Sequence, residues 1–171
     1  MKHHWKPSVT VAAVIEHLGR FLLVEEQTSE GLRLNQPAGH LESNESLTQA
    51  CTRETLEETA HEFTPTYLIG VYLWRFISPS SGAEHTYLRF AFAGQLGQKQ
   101  ARELDDGIVG TLWMTRDELA ACPERHRSPL LLQCIDDYLA GKRSELDMLH
   151  THASVSAETA LSDLATHSKA S

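Results

Sequence analysis

Cysteine is scarce, at three in 171 residues. Cys51, Cys122 and Cys134 lie far apart among apolar residues, so neither a CxxC metal knuckle nor a disulfide framework is expected, and a reduced, cytoplasmic setting is the simplest reading. Positive charge is short as well. Fifteen Lys and Arg against 23 Asp and Glu leave a formal net charge of -8, which argues against coating nucleic acid or an anionic membrane by bulk attraction. No apolar run approaches the roughly 18 residues of a membrane helix. The start, MKHHWKPSVTVAAVIEHLGR, has no convincing cleavage site and is expected to be mature protein. GxxxxGK[ST] and GxSxG are both missing, which disfavours a P-loop NTPase and a Ser hydrolase. The histidines form no two-His pair near a carboxylate, so zinc is not expected; His40, beside Gly39, is the one singled out.

What is present suits one domain with a substantial core, since 41% of the residues are hydrophobic. Val9 to Ile15 and Phe21 to Val24 are β-branched and aliphatic runs around His17-Leu18-Gly19-Arg20, and read as a hairpin. Tyr67 to Ile77 and Thr86 to Leu96 read as a second pair around the turn-rich SPSSGAE, and Thr111 to Met114 as a short strand. A first helix is expected from Ser43 or Asn44 to about Thr59. Thr115-Arg116-Asp117-Glu118 has the form of a capping box opening a short helix through Cys122. Ser128-Pro129 precedes LLLQCIDDYLA and Gly141, with Pro expected at the first helical position. Residues 1–149 are taken as the domain. From 150 onward the chain is dominated by Ser, Ala and Thr and is taken as a flexible tail, with a weak helical tendency over Ala157 to Ala165.

The first helix carries an anomaly. On a wheel of 100° per residue, Leu47, Ala50 and Cys51 define the apolar stripe, while Glu54 and Glu58 fall about 20° to either side of its centre and Glu57 about 80° away. Three carboxylates extending an inward face repel one another, and burying one unpaired is costly. Magnesium, or manganese, would compensate them, as a hard ion taking carboxylate, water and phosphate oxygens. A solvated acidic helix flank explains the glutamates alone equally well. The preceding Pro37-Ala38-Gly39 reads as a tight turn whose carbonyls reach the same ion.

The segment GHLESNESLTQACTRETLEETAH resembles the Nudix box. Gly39, Glu45, Arg53, Glu54, Glu57 and Glu58 stand at the required spacing, a coincidence on the order of 10⁻⁷ per register at average residue usage. Thr55 and His61 replace aliphatic positions and Ala60 replaces the glycine of the helix exit, so altered packing there is expected rather than lost metal binding. The pieces WKPSVTVAAVI, YLRFAFA and RSPLLLQCIDDYLAGKR are similar to the NudJ-type bacterial phosphatase branch of that family.

The resemblance implies an α/β/α Nudix sandwich with a mixed sheet, and magnesium-dependent hydrolysis of a nucleoside di- or triphosphate or a pyrimidine pyrophosphate. It implies Glu54, Glu57 and Glu58 as metal ligands, with Glu54 ligand or base, the Ala38 carbonyl as a further ligand, and Arg53 and Glu45 as supports. An ADP-sugar, a dinucleoside polyphosphate or a capped RNA end is the alternative substrate, and a non-catalytic nucleotide-binding module the rival from another class. Beyond the box, Arg75 and Arg89 are candidates for phosphate oxygens and Trp74 for stacking on a ring, beside ordinary exposed-face and core roles. Asp106 is preferred to Asp105 and Glu103 as an extra acid facing the box. A monomer or homodimer acting on a small molecule is expected.

Overall fold

The computed structural model describes residues 5–79 and 81–155. Its strands are β1 (Ser8–Val14), β2 (Glu16–His17), β3 (Arg20–Thr28), β4 (Gly31–Asn35), β5 (Ala38–His40), β6 (His61–Ile77), β7 (Glu84–Lys99) and β8 (Ile108–Thr115). Its α-helices are α1 (Leu47–Thr59), α2 (Arg116–Ala120) and α3 (Leu130–Leu139). One mixed sheet runs β5-β1-β7-β6, with β1 parallel to β7 and the other pairs antiparallel. In the second sheet β3 pairs with β2 and β4 on one side and β8 on the other.

Two cores sandwich these strands. Val11, Ala13, Ile15, Leu22 and Phe92 pack with Ala50 and Cys51 of α1, whereas Val14, Phe21, Leu23, Ala91 and Ala93 pack with Leu131, Cys134 and Ile135 of α3. Successive strand residues point to opposite faces, so a strand covered by a helix on each side is apolar at every position. That is why Val11 to Ile15 is an unbroken apolar run.

Several expectations are corrected. The Leu18-Gly19 turn forms, with φ of 51 and 75, but it joins only the two-residue β2 to β3. The long run β1 pairs with β5 and β7 in the other sheet, because a strand buried on both faces is satisfied only in the interior of a sheet. Ala38-Gly39-His40 is a strand antiparallel to β1, not a tight turn. Ser46, rather than Ser43 or Asn44, caps α1: its side chain accepts from the Gln49 N–H while Gln49 accepts from the Ser46 N–H, closing a capping box. Asn44 instead takes a left-handed φ of 68 in the loop before it. The box at Thr115 and Glu118 forms as expected, although α2 ends at Ala120. Pro129 stands at the cap of α3, one residue before the first helical position.

Residues 150–155 end in a 3-10 turn, Ala153–Val155, and the remainder of the expected tail lies outside the described residues. Among the described residues no helix is long and apolar enough to cross a membrane.

Candidate active site

The site lies where α1 packs on β5. Arg53 organises it with all five of its N–H donors. Its Nε and Nη2 donate to Glu45 at 3.0 and 2.8 Å, Nη2 also donates to the His40 carbonyl at 2.9 Å, and Nη1 donates to Glu54 and Glu57 at 2.8 and 2.9 Å. The guanidinium fork therefore staples the loop before α1 to the helix and holds two of the three glutamates in place. The hydrogen bonds from Arg53 hold the Glu45 carboxyl below its usual range, and donating to Glu45, Glu54 and Glu57 raises Arg53.

Glu58 is handled differently. It projects inward, and its carboxylate accepts one hydrogen bond, from the Ala38 N–H at 2.9 Å. Burial pushes its carboxyl up to about 8, helped by the fields of Glu54, Glu26 and Asp105. Burial also raises Glu54, with Glu57 and Asp105 adding to it. The Glu54 carboxylate rests against the α-carbon of Gly39, where a β-carbon would overlap it. That contact gives the box glycine a steric reason independent of turn geometry.

The loop before β8 brings Asp105 to the same end of α1, its N–H donating to the Glu57 carbonyl at 3.0 Å. Asp105, not the expected Asp106, thus carries the charge felt by Glu54 and Glu58. One guanidinium therefore faces Glu45, Glu54 and Glu57, while Glu58 and Asp105 add negative charge nearby. Such a donor set, oxygen-rich and short of positive charge, fits a hard divalent cation. Among the described residues, no three acidic, His or Cys side chains already converge on one point, because Glu54 and Glu57 are turned to Arg53.

On the other side of β5 lies a cavity of about 200 Å³. Thr10, Glu26, Asn35, Ala38, Gly39 and Arg89 line it, together with Trp74, Phe76, Tyr87, Arg127 and Ser128. Trp74 and Phe76 stack 4.7 Å apart, and Phe76 and Tyr87 lie nearly parallel at 6.0 Å, forming an aromatic wall. The Arg89 guanidinium is buried and donates to Gln36 Oε1 at 3.3 Å; burial pushes its pKa down. Trp74 and Arg89 thus line the same cavity.

Arg75 does not. The alternation along β6 that turns Trp74 inward turns Arg75 outward, where it is largely exposed and pairs with Glu84 at 3.6 Å. Glu26, Asn35, Thr10 and Ser128 were missed by sequence reasoning. The polar pair Asn35-Gln36, closing an apolar strand just before Pro37, was the one visible signal.

A NUDIX domain model matches residues 4–133. The chain belongs to the Nudix family. It is 37% identical over 146 residues to Phosphatase NudJ of Escherichia coli strain K12, covering 85% of this chain and 92% of that protein. A NUDIX hydrolase from Nitrosomonas europaea superposes with a TM-score of 0.79 at 52% identity, over 86% of this chain and 98% of that one. A MutT NUDIX hydrolase from Burkholderia pseudomallei shares the fold at a TM-score of 0.63 and 20% identity, over 78% and 98% of the two chains. The chain is accordingly a Nudix hydrolase acting on phosphorus-containing anhydrides, in a family that generally uses divalent metal cations.

Proposed function

We propose that this Nudix hydrolase works with magnesium, or manganese in its place, on a nucleoside di- or triphosphate or a pyrimidine pyrophosphate in the cytoplasm, as a monomer or homodimer. The observation that carries the metal reading is Glu58, a partly buried carboxylate with one hydrogen bond, beside Glu54, Glu57 and Asp105. The relative named a phosphatase supports the substrate class, as does the juxtaposition of an aromatic cavity with the acidic helix across β5.

Glu54, Glu57 and Glu58 are the residues to hold the cation, with the backbone of Ala38 beside them. When bound, the cation neutralises phosphate charge and lowers the pKa of the attacking water. Arg53 holds one carboxylate oxygen each of Glu54 and Glu57, which leaves the other oxygen of each to turn toward the cation. Glu54 or Glu57 takes the proton from water. Arg89, buried and with donors to spare, holds a phosphate oxygen, and Trp74 covers the ring attached to it.

The test is release of phosphate, pyrophosphate or nucleoside monophosphate with and without magnesium, across a substrate panel. Glu57→Gln and Glu58→Gln are expected to lower turnover by about 10³-fold or more while the fold survives. Full magnesium-dependent turnover in both variants overturns the assignment.

A further inference from the structure

Four buried side-chain oxygens have no hydrogen-bond partner among the described residues: Thr10 Oγ1, Glu26 Oε1, Asn35 Oδ1 and Ser128 Oγ. They come from β1, β3, β4 and the residue before Pro129, segments well separated in the chain, yet all four line the same cavity. Thr10, Asn35 and Ser128 are more than nine-tenths buried. A buried polar atom left unpaired is costly to the fold. Packing defects scattered through a fold do not share one wall, whereas a recess built for a polar group gathers them.

The chemistry of the four is uneven. The Glu26 carboxylate and the Asn35 carbonyl only accept hydrogen bonds, while the two hydroxyls donate or accept. Asn35 neighbours the Glu26 carboxyl and favours its charged form, and the Asn35 oxygen has no partner among the described residues. Neither nearby guanidinium bonds Glu26 Oε1: Arg127 pairs with the other Glu26 oxygen at 3.6 Å, and Arg89 gives one donor to Gln36. Trp74, Phe76 and Tyr87 flank this edge as a flat wall on which a ring stacks.

We infer that the cavity reads the amino-bearing edge of a planar heteroaromatic ring on the substrate and rejects the oxo-bearing counterpart, with Glu26 and Asn35 setting that choice. An exocyclic amine offers two N–H donors to the two fixed acceptors, while Thr10 and Ser128 adapt to the ring atoms beside it. An oxo group sets an oxygen against a carboxylate, and the single N–H on the ring nitrogen beside it replaces the two of the amine, so at least one acceptor is left unpaired. The inference rests on the proposed reading that the substrate spans β5, whose Ala38 and Gly39 line the cavity and touch the acidic helix.

Nucleoside monophosphates test it without hydrolysis, because they carry no anhydride. Calorimetry of the full chain with CMP against UMP, and AMP against IMP, is expected to show the amino member of at least one pair bound about tenfold more tightly. Ratios below about threefold in both pairs, or no binding of any of the four, overturn it. Glu26→Gln brings an N–H donor to the edge and is expected to shrink the preference about fivefold or invert it; an unchanged ratio in this variant also overturns the inference. If CMP is preferred while no triphosphate yields metal-dependent release, the edge reading stands and the hydrolytic reading falls.

Discussion

At Gly39 a hydrogen in place of a side chain decides whether the acidic helix can sit against β5. A β-carbon there overlaps the Glu54 carboxylate, which Arg53 also grips. The clash is with the end of a side chain, so the fold can yield by moving Glu54, a proposed metal ligand, out of its place. Gly39→Ala is expected to leave the melting temperature within about 3 °C and to lower kcat/KM for magnesium-dependent release by at least about tenfold. Unimpaired turnover in a well-folded Gly39→Ala protein would show that Glu54 need not occupy this position. The role of Gly39 was legible from the box spacing, but its physical cause was not, because the clash joins residues fifteen apart across two elements. For the same reason Asp105 was passed over for Asp106: loop neighbours look alike in sequence, and only the bond from Asp105 N–H to the Glu57 carbonyl separates them.

Elements were legible where their signal is local. The box at Thr115 and Glu118, the Leu18-Gly19 turn, and the β6 and β7 runs are each specified by residues close in sequence. Strand partners were not, since β1 carries apolar residues on both faces and pairs with strands more than 25 and 70 residues away. The hairpin turn is itself imperfect. Leu18 holds a left-handed φ of 51 while 87% exposed, so it strains the backbone and buries nothing. Leu18→Asn is expected to stabilise the fold by about 0.5–1 kcal/mol, seen as a higher denaturation midpoint at constant slope. No gain would mean that the turn is tuned by something other than backbone strain.

The seat of α3 on β6 gives a pH signature. Burial pushes the Asp137 carboxyl up, but Lys142 at 2.8 Å, Tyr72 at 2.9 Å and Gln133 at 3.1 Å outweigh it and hold the group below its ordinary value. A depressed folded pKa adds stability that is present above the unfolded value and lost as pH falls through the folded one. In Asp137→Asn the bond from Lys142 loses its charge, so the variant should melt lower at neutral pH. The gap should close below about pH 4. A gap independent of pH would assign the loss to packing rather than to the ion pair.

Across the whole molecule the balance of charge points the same way as the site. A chain of net charge -8 with an acidic cluster at its centre repels a polyphosphate, and a divalent cation reverses that sign locally. The same cation relieves the cost of Glu58. Binding to the folded state alone adds about 2.7 kcal/mol at a hundred times the dissociation constant. For a domain of this size each kcal/mol is worth ~2–4 °C, so magnesium at about a hundred times its dissociation constant should raise the wild-type melting temperature by at least about 5 °C over the chelated protein. Glu58→Gln keeps an oxygen for the Ala38 N–H and removes the ionisable group whose charged form burial penalises. It should therefore melt higher than wild type in chelator and gain less from magnesium, so that the two curves cross as the ion is added. A wild-type protein indifferent to magnesium, with Glu58→Gln no more stable in chelator, would mean that the partly buried carboxylate is accommodated by the fold and is not held ready for a cation.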